Sequence, residues 1–304
     1  MQIKKPITLF VLFTAFVLKA AAQDTTGLDL LAELEKETAQ NQAAQTQYAT
    51  ATFKTTRLVG GHSSENVAKG VMDVKISHRF GTINKGGYEL FGLDNATMRM
   101  GIDYGITDYL MVGIGRSTYQ KTYDAFFKIK LLRQSTGRRN MPISLSYVPT
   151  IAYKAIRFEN PEQNNYTTSR LYYTHQLIIA RKFSDKLSLQ LMPTLVHRNL
   201  VSLQTDPNDI VAIGIGGRQK ITKRLSLNAE YYYQLPQYKL QGTTNSLSIG
   251  FDIETGGHVF QLHFTNSQGM NERTFITETT GKWEKGDILF GFNISRVFTI
   301  GKRR

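Results

Sequence analysis

Apolar and polar residues alternate in long segments over most of the chain from residue 70 onward. The segment MRMGIDYGITDYLMVGIG (98–115) shows the pattern. Met100 and Ile102 belong to an apolar series at every second position, which pauses at Thr107-Asp108 and then resumes. A period of two places one series of side chains on each face of a β-strand. Two such segments joined by a short pause therefore predict a β-hairpin whose faces differ in polarity.

Roughly twelve alternating segments follow one another, most of them about 9–14 residues long. Strands of ordinary globular proteins average about 5–6 residues, whereas tilted membrane-spanning strands need about 9–11. The segment length therefore favours strands that cross a bilayer. Beyond the amino terminus, no apolar run approaches the length of about 18 residues that would indicate a transmembrane helix.

The connections between the predicted strands alternate in length. The short ones lie at 107–108, 134–140, 184–186, 222–223 and 255–257, and the longer ones at 81–95, 155–166, 201–208, 236–243 and 266–286. Among the junctions that otherwise have longer connections, only the link near Tyr119 is short. This asymmetry is typical of outer-membrane barrels. We predict an all-β fold for residues 70–304, a transmembrane antiparallel up-and-down β-barrel of about 12 strands. The alternative is a soluble secreted β-sandwich.

The amino terminus has the three-part layout of a secretory signal peptide. Lys4 and Lys5 precede an apolar run over 7–18, and small residues at 20–22 form a cleavage pattern. The run is shorter than the roughly 20 residues that span a bilayer. We therefore predict a cleaved signal peptide over 1–22 and a location in the cell outer membrane, in contact with its lipid.

Residues 23–69 are predicted to form a short periplasmic amino-terminal segment, part helical and part extended. Leucines at three-residue steps and interspersed glutamates predict a helix within 24–45, which could bind a periplasmic protein partner. FKTTRL (53–58) is a possible lone strand. The chain contains no cysteine, which excludes disulfides and thiolate catalysis.

Charged residues of the predicted strands share the parity opposite to the apolar series, as expected for a lumen. The main lumen-facing candidates are Arg79, Arg99, Asp103, Lys128, Arg170, Arg198, Arg218, Glu230 and Asp252. With Lys75, Lys130, Lys220, Asp73, Asp124 and Glu254, nine basic positions stand against six acidic ones. One reading is a pore for small anionic solutes. The other is a plug of ion pairs, in which Arg99 and Arg218 pair with residues such as Asp103 and Glu230.

Motifs for catalysis, metal ligation or cofactor binding are not recognisable in the sequence. The histidines are His62, His78, His175, His197, His258 and His263, and their spacing matches no zinc motif. We predict no enzyme and no cofactor, with a membrane-embedded lipid or lipopolysaccharide hydrolase as the alternative. The net charge of +13 is better explained by anionic lipid headgroups than by nucleic acid, because no nucleic-acid-binding module is present. The role expected is structural, transport-related or partner-binding.

Several stretches resemble an uncharacterised family of outer-membrane β-barrels found mainly in Bacteroidota, known as a domain of unknown function. They are FKTTR (53–57) with GHS (61–63), ISHRFG (76–81), YELFGLDNATMRMG (88–101), GRSTYQKTYDAF (115–126) and HVFQLHFTNSQGM (258–270). The resemblance runs from about residue 50 to the end, and it implies the fold and the outer-membrane location but no activity. One departure from the usual barrel pattern is the end of the chain, where TIGKRR follows Phe298.

Overall fold

The computed structural model describes residues 30–38, 45–158, 166–201 and 203–300. The chain divides into two compact units, Met1–Gln45 and Thr46–Arg304. The described part of the first unit is a helix, α1, over 30–38. The predicted signal peptide over 1–22 lies outside the described residues. Among the helices in the described ranges, none combines the length and the apolar character needed to cross a lipid bilayer.

Twelve strands form a closed antiparallel barrel, in which each strand pairs with the next barrel strand and the last pairs with the first. They are β2 Val71–Thr82, β3 Ala96–Gly105, β4 Leu110–Ser117, β5 Thr122–Leu132, β7 Ser144–Lys154, β8 Leu171–Lys182, β9 Leu187–Arg198, β10 Asp209–Lys220, β11 Leu225–Gln234, β12 Ser246–Thr255, β13 His258–Thr265 and β14 Leu289–Thr299. The predicted fold class and strand number are confirmed.

The remaining described elements are short. Two strands, β1 Thr46–Tyr48 and β6 Ser135–Gly137, pair in a separate two-stranded sheet. A helix, α2 Glu272–Thr277, lies in the connection between β13 and β14. Single 3₁₀ segments occupy Ile83–Gly92, Tyr119–Lys121, Thr167–Arg170, Pro236–Tyr238 and Trp283–Lys285.

Side chains on the barrel strands alternate between exposed and buried positions. On β9, Leu189 and Leu191 are exposed on the outer face, whereas Ser188, Gln190 and Thr194 are buried inside. A soluble sandwich would bury the apolar series between its two sheets. Here the polar series is buried and the apolar series covers the outside. The alternative of a soluble β-sandwich is therefore wrong.

The two ends of the barrel differ, and we name them by their connections. The turn end carries the connections 106–109, 133–143, 183–186, 221–224 and 256–257, and the loop end carries 83–95, 118–121, 155–170, 199–208, 235–245 and 266–288. Only 118–121 is short at the loop end, as the sequence predicts. The chain enters the first barrel strand, β2, and leaves the last, β14, at the turn end.

Two substitutions, one in β10 and one just after it, can test whether the outer face contacts the hydrocarbon of the bilayer. Ile213 is exposed near the middle of this strand, and Ile221 follows the strand at the turn end. Ile213→Arg is expected to destabilise the barrel in a bilayer by about 2–4 kcal/mol, whereas Ile221→Arg should cost about 0–1 kcal/mol because the rim is hydrated. Denaturant titration of folding into lipid vesicles measures both changes. Equal effects of the two substitutions would show that Ile213 does not face the hydrocarbon.

Residues 52–67, which we call the plug, are folded inside the barrel. Their side chains are largely buried, and their backbone contacts inward side chains of β5, β9, β11, β13 and β14. The prediction that residues 23–69 form a periplasmic segment is therefore wrong for the plug. The possible lone strand over 53–58 does not form either, since its pairing is limited to a single bridge between Arg57 and His62.

Candidate functional site: a lumen filled from both ends

The plug is a hairpin-like loop that enters and leaves the barrel at the turn end. The backbone N–H of Leu58 donates to the Gly61 carbonyl (2.8 Å), and that of Ser63 donates to the Thr56 carbonyl (3.1 Å). At the turn end, Lys54 forms an ion pair with Glu254, with 2.5 Å between Nζ and Oε1. The tip of the loop therefore points from the turn end into the lumen.

The buried carboxylate of Glu230 on β11 holds the plug tip. Its oxygens accept hydrogen bonds from the backbone N–H groups of Val59 (3.2 Å), Gly60 (2.7 Å) and Gly61 (3.1 Å). Hydrogen bonds to a carboxylate are stronger than those between neutral groups. A single wall residue thus satisfies three consecutive backbone donors that would otherwise be buried without partners.

The glycine at position 61 is required by the closeness of the wall. A Cβ added at Gly61 would overlap the hydroxyl group of Tyr232 on β11. A Cβ at Gly60 would lie 3.1 Å from a Glu230 oxygen and 3.5 Å from the ring of Phe275. The Gly-Gly pair therefore allows the backbone to approach Glu230 closely enough for the three hydrogen bonds.

Lys128 on β5 anchors both arms of the plug. Its fully buried ammonium group donates to the carbonyl oxygens of Thr56 (2.9 Å), Ser63 (3.0 Å) and Glu65 (2.9 Å). Within the described residues no carboxylate lies within ion-pair distance of it. An ammonium group has three donors, so the plug backbone uses its full donor capacity.

A second cluster ties the plug to β2 and β3. Lys75 forms ion pairs with Asp73 (2.9 Å) and Asp103 (2.5 Å), and it also contacts the Thr56 hydroxyl. That hydroxyl donates to Asp103 at 2.7 Å. Because all four side chains are buried, the desolvated charges are stabilised only while this arrangement persists.

The lumen is also filled from the loop end, by the connection 266–288. All residues of α2 are buried, and the Asn271 side chain caps its first turn. Glu272 of α2 forms a 2.6 Å ion pair with Arg57 of the plug. Phe275 packs against Tyr232, with 5.0 Å between ring centroids. The two inserted segments therefore meet inside the barrel.

Hydrogen bonds also join the connections at the loop end. The Asn84 side chain donates to Asp287 at 2.7 Å and to the Lys285 carbonyl at 3.2 Å. The Lys282 backbone N–H also donates to Asp287, at 3.0 Å. These hydrogen bonds, that of Lys282 first, hold the pKa of the Asp287 carboxyl below its usual value. The connection 266–288 is thereby fixed to 83–95.

Little free space is left beside the plug tip. An internal cavity of about 10 Å³ lies between the tip and β2, β3, β13 and β14, and Arg57, Lys75, Arg79 and Arg99 are among its lining residues. Such a volume holds about one water molecule. At the turn end, a wider space of about 390 Å³ lies between the plug and β12–β14. The space beside the tip is therefore far smaller than the one at the turn end.

The structure places most of the predicted lumen residues together around the inserted segments. Arg79, Arg99, Asp103, Lys128, Arg198, Glu230 and Asp252 are buried inside the barrel. Arg218 is half-buried at the turn end, where it donates to the Ala51 carbonyl at 3.1 Å and to Ser226 at 3.3 Å. Arg170 is outside the barrel wall, because the chain forms a 3₁₀ turn there before β8 begins; its guanidinium lies over the Phe158 ring.

The predicted ion-pair partners need correction. Arg99 pairs with Asp124 on β5, with 2.9 Å between Nε and Oδ1, and not with Asp103. Arg218 does not pair with Glu230, which binds backbone N–H groups instead. The sequence could not show these pairings, because the plug binds Asp103 and Glu230, the two carboxylates that the prediction assigned to the wall arginines.

The histidines do not assemble a hydrolytic site in the described residues. His62 and His263 are buried in the lumen, whereas His175 and His197 are hydrogen-bonded to Tyr147 and Asp209, each at 2.7 Å. Within the described ranges, no serine or threonine hydroxyl is hydrogen-bonded to a histidine ring. The geometry therefore adds nothing to the hydrolase alternative.

Residues 53–298 match the family described as membrane bound beta barrel domain (DUF5777). The chain belongs to this family. The match covers the barrel and begins inside the plug, so the plug is part of the family domain and not an appendage to it. The resemblance predicted from the sequence motifs is confirmed. A search of curated proteins found no match.

Solved structures with similar folds include several outer-membrane channels. The NanC porin is 8% identical, with a TM-score of 0.46 over 75% of this chain and 98% of the porin. The KdgM porin in complex with disordered oligogalacturonate is 9% identical, with a TM-score of 0.45 over 75% and 99%. The COG4313 outer membrane channel from Pseudomonas putida F1 is 13% identical, with a TM-score of 0.44 over 77% and 98%. At these identities the likeness concerns the barrel fold alone.

Proposed function

We propose that the protein is an outer-membrane channel for small anionic solutes, closed at rest by the plug and by the connection 266–288, and opened when the plug leaves the lumen and that connection moves aside. The observation that carries this proposal is the polar nature of the plug contacts. Lys128 and Glu230 bind plug backbone groups through hydrogen bonds, which water can replace when the plug moves. The plug also has apolar contacts, since Phe53, Leu58 and Val67 belong to the buried hydrophobic cluster of the barrel, and these contacts must be broken as well when the plug moves.

The charges around the plug support the preference for anions. Lys128 binds carbonyl oxygens, and Arg79 donates to the His78 carbonyl and the Asn293 side chain. Neither forms an ion pair within the described residues. Departure of the plug frees the Lys128 ammonium in the wall, although it also frees the Glu230 carboxylate. Rings of basic residues favour anionic solutes.

Residues 24–45 precede the plug in the chain, and we propose them as the binding segment for a periplasmic protein partner. In the described part, α1, Leu31 and Leu34 are exposed. Exposed leucines at helical spacing can fit an apolar groove. A partner bound to this segment would be joined to the plug through β1 and a few further residues, so its movement would reach the plug once β1 separates from β6.

The proposed channel can be tested by planar-bilayer recording of the purified protein. We expect a low open probability with discrete openings, and a reversal potential in a salt gradient that indicates anion preference. The absence of channel current at every voltage would contradict reversible opening and favour a permanently closed, structural barrel. Openings selective for cations would contradict the anion preference alone.

The proposed location and orientation predict which connections are accessible on cells. A protease site inserted after Asp206, in a loop-end connection, should be cut on intact cells because loop-end connections of outer-membrane barrels are extracellular. The matched site after Asp185, at the turn end, should be cut only after the outer membrane is permeabilised. Immunoblotting of the fragments measures both. The opposite pattern would mean that the barrel is inverted.

A further inference from the structure

The outer surface of the barrel carries a groove along β5. Register pairing aligns two rows of outward residues across β3, β4, β5, β7 and β8. The row nearer the loop end is Met100, Arg116, Tyr123, Tyr153 and Leu171, and the next is Ile102, Ile114, Ala125, Ile151 and Tyr173. Alanine is the one small side chain in either row.

This alanine produces a depression between larger neighbours. Two surface hollows, of about 590 and 270 Å³, meet there, and both are lined by Ile114, Ala125 and Ile151. The first extends toward the loop end past Tyr123, and the second toward the turn end past Phe127. Together they form a continuous apolar groove that runs along the strands and faces the bilayer.

A cation lies at the loop end of the groove. Arg116 is exposed on the outer face and lines the first hollow. Its Nε donates to the Tyr123 hydroxyl at 3.1 Å, and its guanidinium lies over the Tyr123 ring. Lys121 lies close by, two residues before Tyr123, whereas Lys154 pairs with the buried Thr122 and shares the inward parity of β7. Within the described residues, none of these three cations forms an ion pair.

We propose that the groove binds one acyl chain of an anionic membrane lipid, whose phosphate contacts Arg116. The position of the groove and the charge at its end identify this occupant. The groove lies on the outward face that the bilayer covers, and its charged end is at a rim, where lipid phosphates reside. Basic side chains at that depth attract anionic headgroups. Ala125 supplies the space for the chain, and Arg116 supplies the selectivity for the headgroup.

The test uses the whole protein in detergent, titrated with phosphatidylglycerol or with phosphatidylcholine of the same acyl chains, and native mass spectrometry to measure the apparent Kd of the first bound lipid. The wild type should prefer phosphatidylglycerol about five-fold, since one basic residue near a headgroup contributes about that factor. Arg116→Gln should abolish this preference. Ala125→Leu should weaken binding of both lipids, because the leucine fills the groove.

Two matched variants provide the controls. Arg181→Gln removes an arginine that lies over an aromatic ring at the turn end, 5.1 Å from the Phe183 ring centroid. Ala229→Leu enlarges an outward alanine on β11, across the barrel from the groove. Both should bind lipid as the wild type does. Equal losses in Arg116→Gln and Arg181→Gln, or unchanged binding in Ala125→Leu, would overturn the proposal. Dimers that Ala125→Leu disrupts would also overturn it, by showing that a second copy occupies the groove.

Discussion

Replacing Lys128 with methionine is expected to convert a mostly closed barrel into one that conducts. The substitution keeps most of the length of the side chain but leaves the carbonyls of Thr56, Ser63 and Glu65 without their shared donor. A hydrogen bond from a charged group contributes about 1.5–3 kcal/mol. Such a loss shifts the equilibrium of plug release roughly ten- to a hundred-fold. Single-channel recording should show the increase in open probability.

Lys220→Met is the control for this substitution. Lys220 ends β10 at the turn end, and within the described residues its ammonium forms no hydrogen bond or ion pair with the plug. The control should keep the open probability of the wild type, and both variants should still show the heat-modifiable gel mobility of a folded barrel. Unchanged gating in folded Lys128→Met would mean that the anchor does not hold the channel closed.

Gly61→Ala is expected to displace the plug tip from its seat. The added methyl group would overlap the Tyr232 hydroxyl, and overpacking of this kind costs about 1–3 kcal/mol. The hydrogen bonds from the tip to Glu230 should weaken at the same time. We expect more frequent openings than in the wild type, measured by the same recordings, and faster proteolysis of the plug.

A second substitution distinguishes this clash from a general effect of alanine. Tyr232→Leu removes the hydroxyl and makes room, so the double variant Gly61→Ala with Tyr232→Leu should regain part of the lost closure. Gly87→Ala is the matched control, because a Cβ at Gly87 would meet no atom within 4 Å. If Gly87→Ala opened the channel as often as Gly61→Ala, the close approach to Tyr232 would have no part in closure.

The barrel itself follows from the sequence because its determinants are local. Alternation with a period of two needs only neighbouring residues to be visible, and short and long connections can be read in order along the chain. The facing of Lys128 and Glu230 follows from the same parity. Arg170 shows the limit of this parity argument. It lies in a 3₁₀ turn that ends just before β8, so the alternation of the strand does not determine which way Arg170 faces.

The plug could not be predicted in the same way, because its structure depends on distant partners. Residues 52–67 have no period, and the contact of Gly60 with Glu230 joins positions separated by 170 residues. One signal was available. The motifs FKTTR and GHS belong to the family resemblance although they precede the first alternating segment. A family domain that begins before its barrel indicates that the preceding residues have a place within the fold.

The most direct test of the closed lumen is the labelling rate of a single thiol in the plug. The chain has no cysteine, so Ser63→Cys would carry the only thiol, at a fully buried plug position whose backbone carbonyl accepts a hydrogen bond from Lys128. In vesicles made permeable to the reagent, a water-soluble maleimide should label this thiol at least about ten-fold more slowly than Ser184→Cys in an exposed turn, and Lys128→Met should remove most of the difference. Equal labelling of the two thiols in the otherwise unchanged chain would contradict a plug seated in the lumen.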